Sequence, residues 1–114
     1  MAIYWVARSR INDPEPYKKY LSTAPDIVER HGGEVLARGG KYKILEGSDY
    51  HNRFIVLKFE SFEQAEACFN SPEYQAAATH RREGGGGDVD IWLVEEYGAD
   101  IKVAPESLKE QLYP

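Results

Sequence analysis

Cysteine is nearly absent: Cys68 stands alone among 114 residues. One thiol cannot close an internal disulfide, and its isolation points to a reducing compartment. Also missing is any apolar run near the roughly 20 residues that a membrane helix needs. The opening M-A-I-Y-W-V-A-R moves straight into strand-like alternation. It has no basic stretch leading into an apolar segment and a small-residue cleavage site, so no signal peptide is expected. Basic residues are the minority, 14 Lys and Arg against 19 Asp and Glu, for a net charge of −5. Phosphate binding needs the opposite balance, so nucleic acid is not expected as a partner. These deficits describe a cytoplasmic protein with neither a membrane nor a nucleic acid as its partner.

Catalytic signatures are missing as well. There is no G-x-S-x-G, and no Ser/His/Asp order stands out. The run Gly84–Gly87 lacks the Lys-Ser/Thr of a phosphate loop. Glu46, Asp49 and His51 lie close in sequence, but their spacing matches no metal signature, so no metal is expected. Cys68 reads as an inert thiol on a helix stripe, without a visible activating partner.

What is present is a regular alternation of elements. The length suits one domain, and 42% hydrophobic residues suffice for one core. Ile3 to Arg8 alternates as a strand with apolar bulk on both faces. Asp13 caps a helix with Pro14 in its first position. Tyr17, Tyr20, Leu21, Ala24, Ile27, Val28 and His31 form its apolar stripe, with a kink or restarted turn expected at Pro25 and an end at Gly32. Glu34 to Arg38 is a second strand. Gly39-Gly40 fits either a hairpin turn or, as favoured here, a bulge in one long bent strand reaching Leu45. After a turn over 47–52, Arg53 to Phe59 reads as a central strand buried on both faces. Ser61 with Gln64 forms a capping box, and Phe62, Ala65, Cys68 and Phe69 share a face of the helix it opens. Ser71-Pro72 starts a third helix carrying Tyr74, Ala77, Ala78 and Arg81. Gly84–Gly87 is expected to be a mobile loop, and Val89 to Tyr97 the last strand. A domain over 1–97 is thus followed by a tail over 98–114 with a short helix from Pro105 to Leu112.

The order β-α-β-β-α-β gives an α+β, ferredoxin-like plait, an antiparallel sheet with helices on one face. Strands apolar on both sides would leave a large bare patch on the other face. A homodimer with its sheets packed face to face removes it.

The residues also carry a resemblance. Tyr17 and Tyr20, then H-G-G (His31–Gly33), L-A-R-G-G (Leu36–Gly40) and L-E-G (Leu45–Gly47) follow one another in order. Next come a strand opened by Arg53, F-x-S-x-E-x-A-like spacing from Phe59 to Ala65, and S-P-E-Y (Ser71–Tyr74). Over roughly residues 3 to 97 this set resembles the DUF1330 family of the dimeric α/β-barrel superfamily. The resemblance implies a homodimer with a barrel between subunits, no established substrate and no cofactor. The wider superfamily includes cofactor-free monooxygenases, muconolactone isomerases and heme-degrading enzymes. Ser48-Asp49-Tyr50-His51 departs from the family's tryptophan-proline type of loop, and the glycine run and tail are individual.

Six residues are candidates for chemistry. His31 ends a helix, where it either answers the helix dipole or acts as a base. Glu46 closes a strand-like segment and is the second candidate proton carrier. Arg38 and Arg53 belong to neighbouring strands and either pair with Glu46 or bind an anionic ligand. Tyr74 and Arg81, seven apart on one helix face, either pack or line the same cleft. Two readings follow. One is a cofactor-free enzyme acting on a small anionic or organic molecule, with the arginines orienting it and His31 or Glu46 moving a proton. The other is a non-catalytic ligand-binding or structural dimer.

Overall fold

Each helix begins on a side chain that accepts from its own first turn. Asp13 accepts from the Glu15 amide, Ser61 from Gln64 and Ser71 from Tyr74, all at 3.1 Å, which satisfies amides the helix leaves unpaired. The computed structural model describes residues 1–83 and 87–97. Its elements are β1 (Ile3–Arg10), α1 (Pro14–Arg30), β2 (Glu34–Arg38), β3 (Arg53–Phe59), α2 (Phe62–Asn70), α3 (Pro72–Arg82) and β4 (Asp88–Glu95). The strands form one antiparallel sheet in the order β2-β3-β1-β4. This is the ferredoxin-like plait, with its second helical crossover split into α2 and α3. The expected helix over 105–112 and Gly84–Gly86 lie outside the described residues.

One sheet face makes the core. Trp5, Ala7, Leu57 and Phe59 on the sheet meet Ile27 and Val28 of α1, Ala65 and Cys68 of α2, and Tyr74, Ala77 and Ala78 of α3. The alternation explains the choice. Ile3, Trp5, Ala7 and Ser9 are buried, while Tyr4, Val6 and Arg8 point the other way. Pro25 does not end α1, which runs 17 residues through it; its neighbours Ala24, Ile27 and Val28 are buried, so packing holds the helix where a bond is lost.

Within one chain β3 is buried on one face only: Leu57 and Phe59 are buried, while Lys58 is exposed and Phe54 and Val56 are half-buried. The helices cover only one face. One expectation is corrected: no long strand reaches Leu45. β2 ends at Arg38, and its irregularity lies between Val35 and Ala37, at Leu36. The reason is the partner. Arg38 pairs with Ile55 and the Gly39 amide donates to the Phe54 carbonyl at 3.2 Å, after which β3 runs out. Gly39, at φ +61°, turns the chain away. Segment 40–52 is largely exposed and touches the sheet near its two ends: the Tyr42 ring is 4.8 Å from Phe54, and the Asn52 amide donates to Ser9 at 2.9 Å.

Candidate functional site

A narrow, partly open cleft lies between the sheet and the pair α1 and α3, with about 50 Å³ of space for water-sized molecules. Most of its wall is aliphatic, from residues such as Leu21, Val28, Val35 and Ile55. Into this wall are set three guanidinium groups, Arg38, Arg53 and Arg81, and three phenols, Tyr17, Tyr20 and Tyr74.

Local rules bring them together. Tyr17 and Tyr20 are three apart on α1, Tyr74 and Arg81 seven apart on α3, and each pair shares a helix face. Arg53 stands opposite Ser9, on the inward face. Arg38 is there because of the bulge. Strict alternation from Val35 would turn position 38 outward; the extra residue at Leu36 restores it to the cleft side.

The polar groups form a connected row. Ser9 and Tyr17 hydroxyls are 3.5 Å apart, the Tyr17 and Tyr20 ring centroids 5.5 Å, and the Tyr20 and Tyr74 hydroxyls 2.8 Å. Arg81 donates from Nη2 to the Tyr74 hydroxyl at 3.5 Å and sits 5.3 Å from the Tyr20 ring centre. Arg53 sits 5.7 Å from the Tyr17 ring centre. These ring contacts stabilise both cations. Burial and the adjacent Tyr74 hold the Tyr20 phenol well above the ordinary tyrosine range, so it is a donor and not a base near neutrality. Burial opposes the charge on Arg81, but Tyr74 and then Tyr20 outweigh it and raise its pKa.

Two donors in the row have no acceptor among the described residues. Nε of Arg53 and Nε of Arg81 are buried without a hydrogen-bond partner, and Arg81 is only 6% exposed. Among the described residues none of Arg38, Arg53 and Arg81 forms an ion pair.

His31 and Glu46 lie elsewhere. His31 ends α1, and its Nε2 is 2.9 Å from Glu73 on α3, an outer bond between two helices. Glu46 is exposed in segment 40–52, without a side-chain hydrogen bond or ion pair among the described residues. The structure thus gathers four of the six candidates, Arg38, Arg53, Tyr74 and Arg81, and leaves two outside. It adds Tyr17 and Tyr20, which the sequence marks as packing stripe; a tyrosine pair at i, i+3 on an otherwise aliphatic face was the available signal. His51 stands 3.6 Å from Asp90, and no group of three metal-binding side chains occurs among the described residues.

Comparison with known proteins agrees with this fold. A protein of unknown function from Rhodopseudomonas palustris superposes with a TM-score of 0.66 at 19% identity, over 85% of this chain and 83% of that one. SnoaB, a cofactor-independent oxygenase from Streptomyces nogalater, does so at 0.60 and 13%, over 86% and 95%. A dimeric ferredoxin-like protein of unknown function from Thermobifida fusca gives 0.58 and 17%, over 84% and 92%. No curated protein matches the sequence. Residues 2–97 match the family described as "Domain of unknown function (DUF1330)", and with that span covering most of its length the chain belongs to the DUF1330 family.

Proposed function

We propose that this protein is a cytoplasmic homodimer that binds a small organic anion in the cleft between the sheet and helices α1 and α3. One observation carries the reading: Arg81 is 6% exposed, and among the described residues its Nε–H has no acceptor and no carboxylate pairs with it. A buried cation is stable when something answers its charge, and an unanswered donor costs about 1–3 kcal/mol. An anion entering the cleft supplies both the charge and the acceptor. The aliphatic wall takes the rest of the molecule. The dimer part rests on the outer sheet face, where Trp92 and Val94 are 43% and 50% exposed, and on the dimers formed by proteins of the same fold.

Titration calorimetry with benzoate against neutral benzamide tests the reading. Benzoate is expected to bind, more weakly as salt is raised, and benzamide to bind far less. Equal binding of the two, or of neither, would refute it.

A second reading is turnover without a cofactor, which SnoaB performs on this fold. The joined hydroxyls of Tyr20 and Tyr74 favour it, because donors fixed in a dry cleft stabilise an oxyanion that develops during reaction. No carboxylate or imidazole lines the cleft among the described residues, so the base in that case is the substrate's own or one brought by a partner.

A further inference from the structure

We infer that the anion carries two negative charges, either as two acidic groups or as one doubly charged head, on an apolar body. This rests on the anion-binding reading and narrows it. Arginine offers an in-plane fork in which Nε and one Nη lie parallel and match the two oxygens of a carboxylate or phosphate. Arg53 and Arg81 both have Nε buried without a partner among the described residues. Neighbouring rings stabilise each charge, Tyr17 beneath Arg53 and Tyr20 beneath Arg81, yet a ring supplies no oxygen to that N–H. Two separate guanidinium groups therefore each lack one acceptor and one compensating charge.

A monoanion answers one of them and leaves the other buried and unpaired. A dianion answers both. Arg38 lies at the exposed edge of β2 and lines the same cleft; it attracts anions from outside but its charge is screened by salt. The body of the ligand is apolar because the same cleft is lined by Ala7, Leu21, Val35 and Ile55. A bare inorganic ion leaves that surface wet.

Titration calorimetry on the intact protein at mildly alkaline pH compares phthalate and phenylphosphonate with benzoate. At least one dianion is expected to bind about tenfold or more tighter than benzoate, the gain from one further charge-assisted hydrogen bond. A preference for phthalate identifies two acidic groups, and a preference for phenylphosphonate one doubly charged head. Benzoate binding as tightly as both dianions overturns this inference and leaves the anion reading standing. Absence of binding by all three overturns both. Arg53→Lys and Arg81→Lys keep the charge and remove the fork, so each is expected to erase the preference for the dianion while benzoate still binds. An unchanged preference in both variants overturns the inference. Circular dichroism checks their folding, and if Arg81→Lys fails to fold, Arg53→Lys, at a half-buried position, carries the test.

Discussion

A methyl group placed on Gly39 would stand 2.2 Å from Nη1 of Arg53. The glycine that ends β2 is therefore also the space in which the Arg53 guanidinium rests. Its neighbour Gly40 has nothing within 4 Å of the same position. Two adjacent glycines thus differ in what they do.

Gly39→Ala is expected to destabilise the protein by about 1–3 kcal/mol, since φ +61° is strained for any side chain. It also displaces Arg53, so benzoate affinity falls with it. Gly40→Ala is expected to stay within about 0.5 kcal/mol, as at an open surface position. Urea unfolding and calorimetry of the two variants, side by side, check this. Equal effects would mean that the glycine pair acts only as a flexible joint.

Tyr74→Phe removes the one hydroxyl that touches both Tyr20 and Arg81. The ring stays in place among Trp5, Tyr20 and Phe69, so the loss is polar. A stability loss of about 1–3 kcal/mol is expected, because a buried donor on Arg81 is left with one partner fewer. Chemical denaturation with an unchanged m-value measures it. A neutral result would show that the row of hydroxyls contributes packing alone.

Alkaline pH has a predictable effect through Cys68. Burial, then the charge of Glu73, raises its thiol from 9.0 to about 11. The unfolded chain releases the proton first, so between about pH 9 and 11 the native state holds more protons than the unfolded state. Stability then falls as pH rises, with a slope of at most about 1.4 kcal/mol per pH unit for this group. The stability it contributes is whole below about pH 9 and is lost by about pH 11. Tyr20, raised by burial, acts in the same direction at higher pH. In Cys68→Ala the fall between about pH 9 and 11 is expected to be shallower. The native thiol should also resist alkylation near neutrality, as a protonated buried group does.

Most of the fold is legible because its signals are local. Asp13-Pro14 and Ser71-Pro72 mark helix starts by chemistry acting within one turn, and the stripe Tyr17–Ala24–Val28 marks the buried face. The end of β2 is not local. It depends on where β3 stops, 15 residues further on at Arg53, and nothing in K-Y-K-I-L-E records that. The bulge at Leu36 is equally silent, though it decides which way Arg38 points. The candidate site is legible to the same degree. Arg38, Arg53, Tyr74 and Arg81 share a cleft because strand order and helix spacing put them there. That Nε of Arg53 and of Arg81 lacks an acceptor among the described residues depends on which groups approach in space, and sequence distance to Glu46 or Glu73 says nothing of it.

The last prediction concerns the open sheet face. Register places Val6 between Val56 of β3 and Trp92 of β4, with Tyr4 opposite Val94 and Lys58 one step along. These side chains point away from the core, and Trp92 and Val94 are 43% and 50% exposed in one chain. A contiguous apolar surface of this kind is covered in a stable protein, and a dimer interface of standard size buries about 1,200–2,000 Å². Light scattering at micromolar concentration is therefore expected to give about twice the 13.0 kDa chain mass. Val6→Glu puts a carboxylate at the centre of that face, so a face-to-face dimer would bury one from each chain. Burying such unpaired like charges costs several kcal/mol, so the variant is expected to be a monomer that keeps its helical circular dichroism. Glu66→Lys, a charge change on the exposed outer side of α2, should leave the mass of the wild type unaltered. A wild-type monomer, or a Val6→Glu dimer as tight as the parent, would show that the sheet face is not where two chains meet.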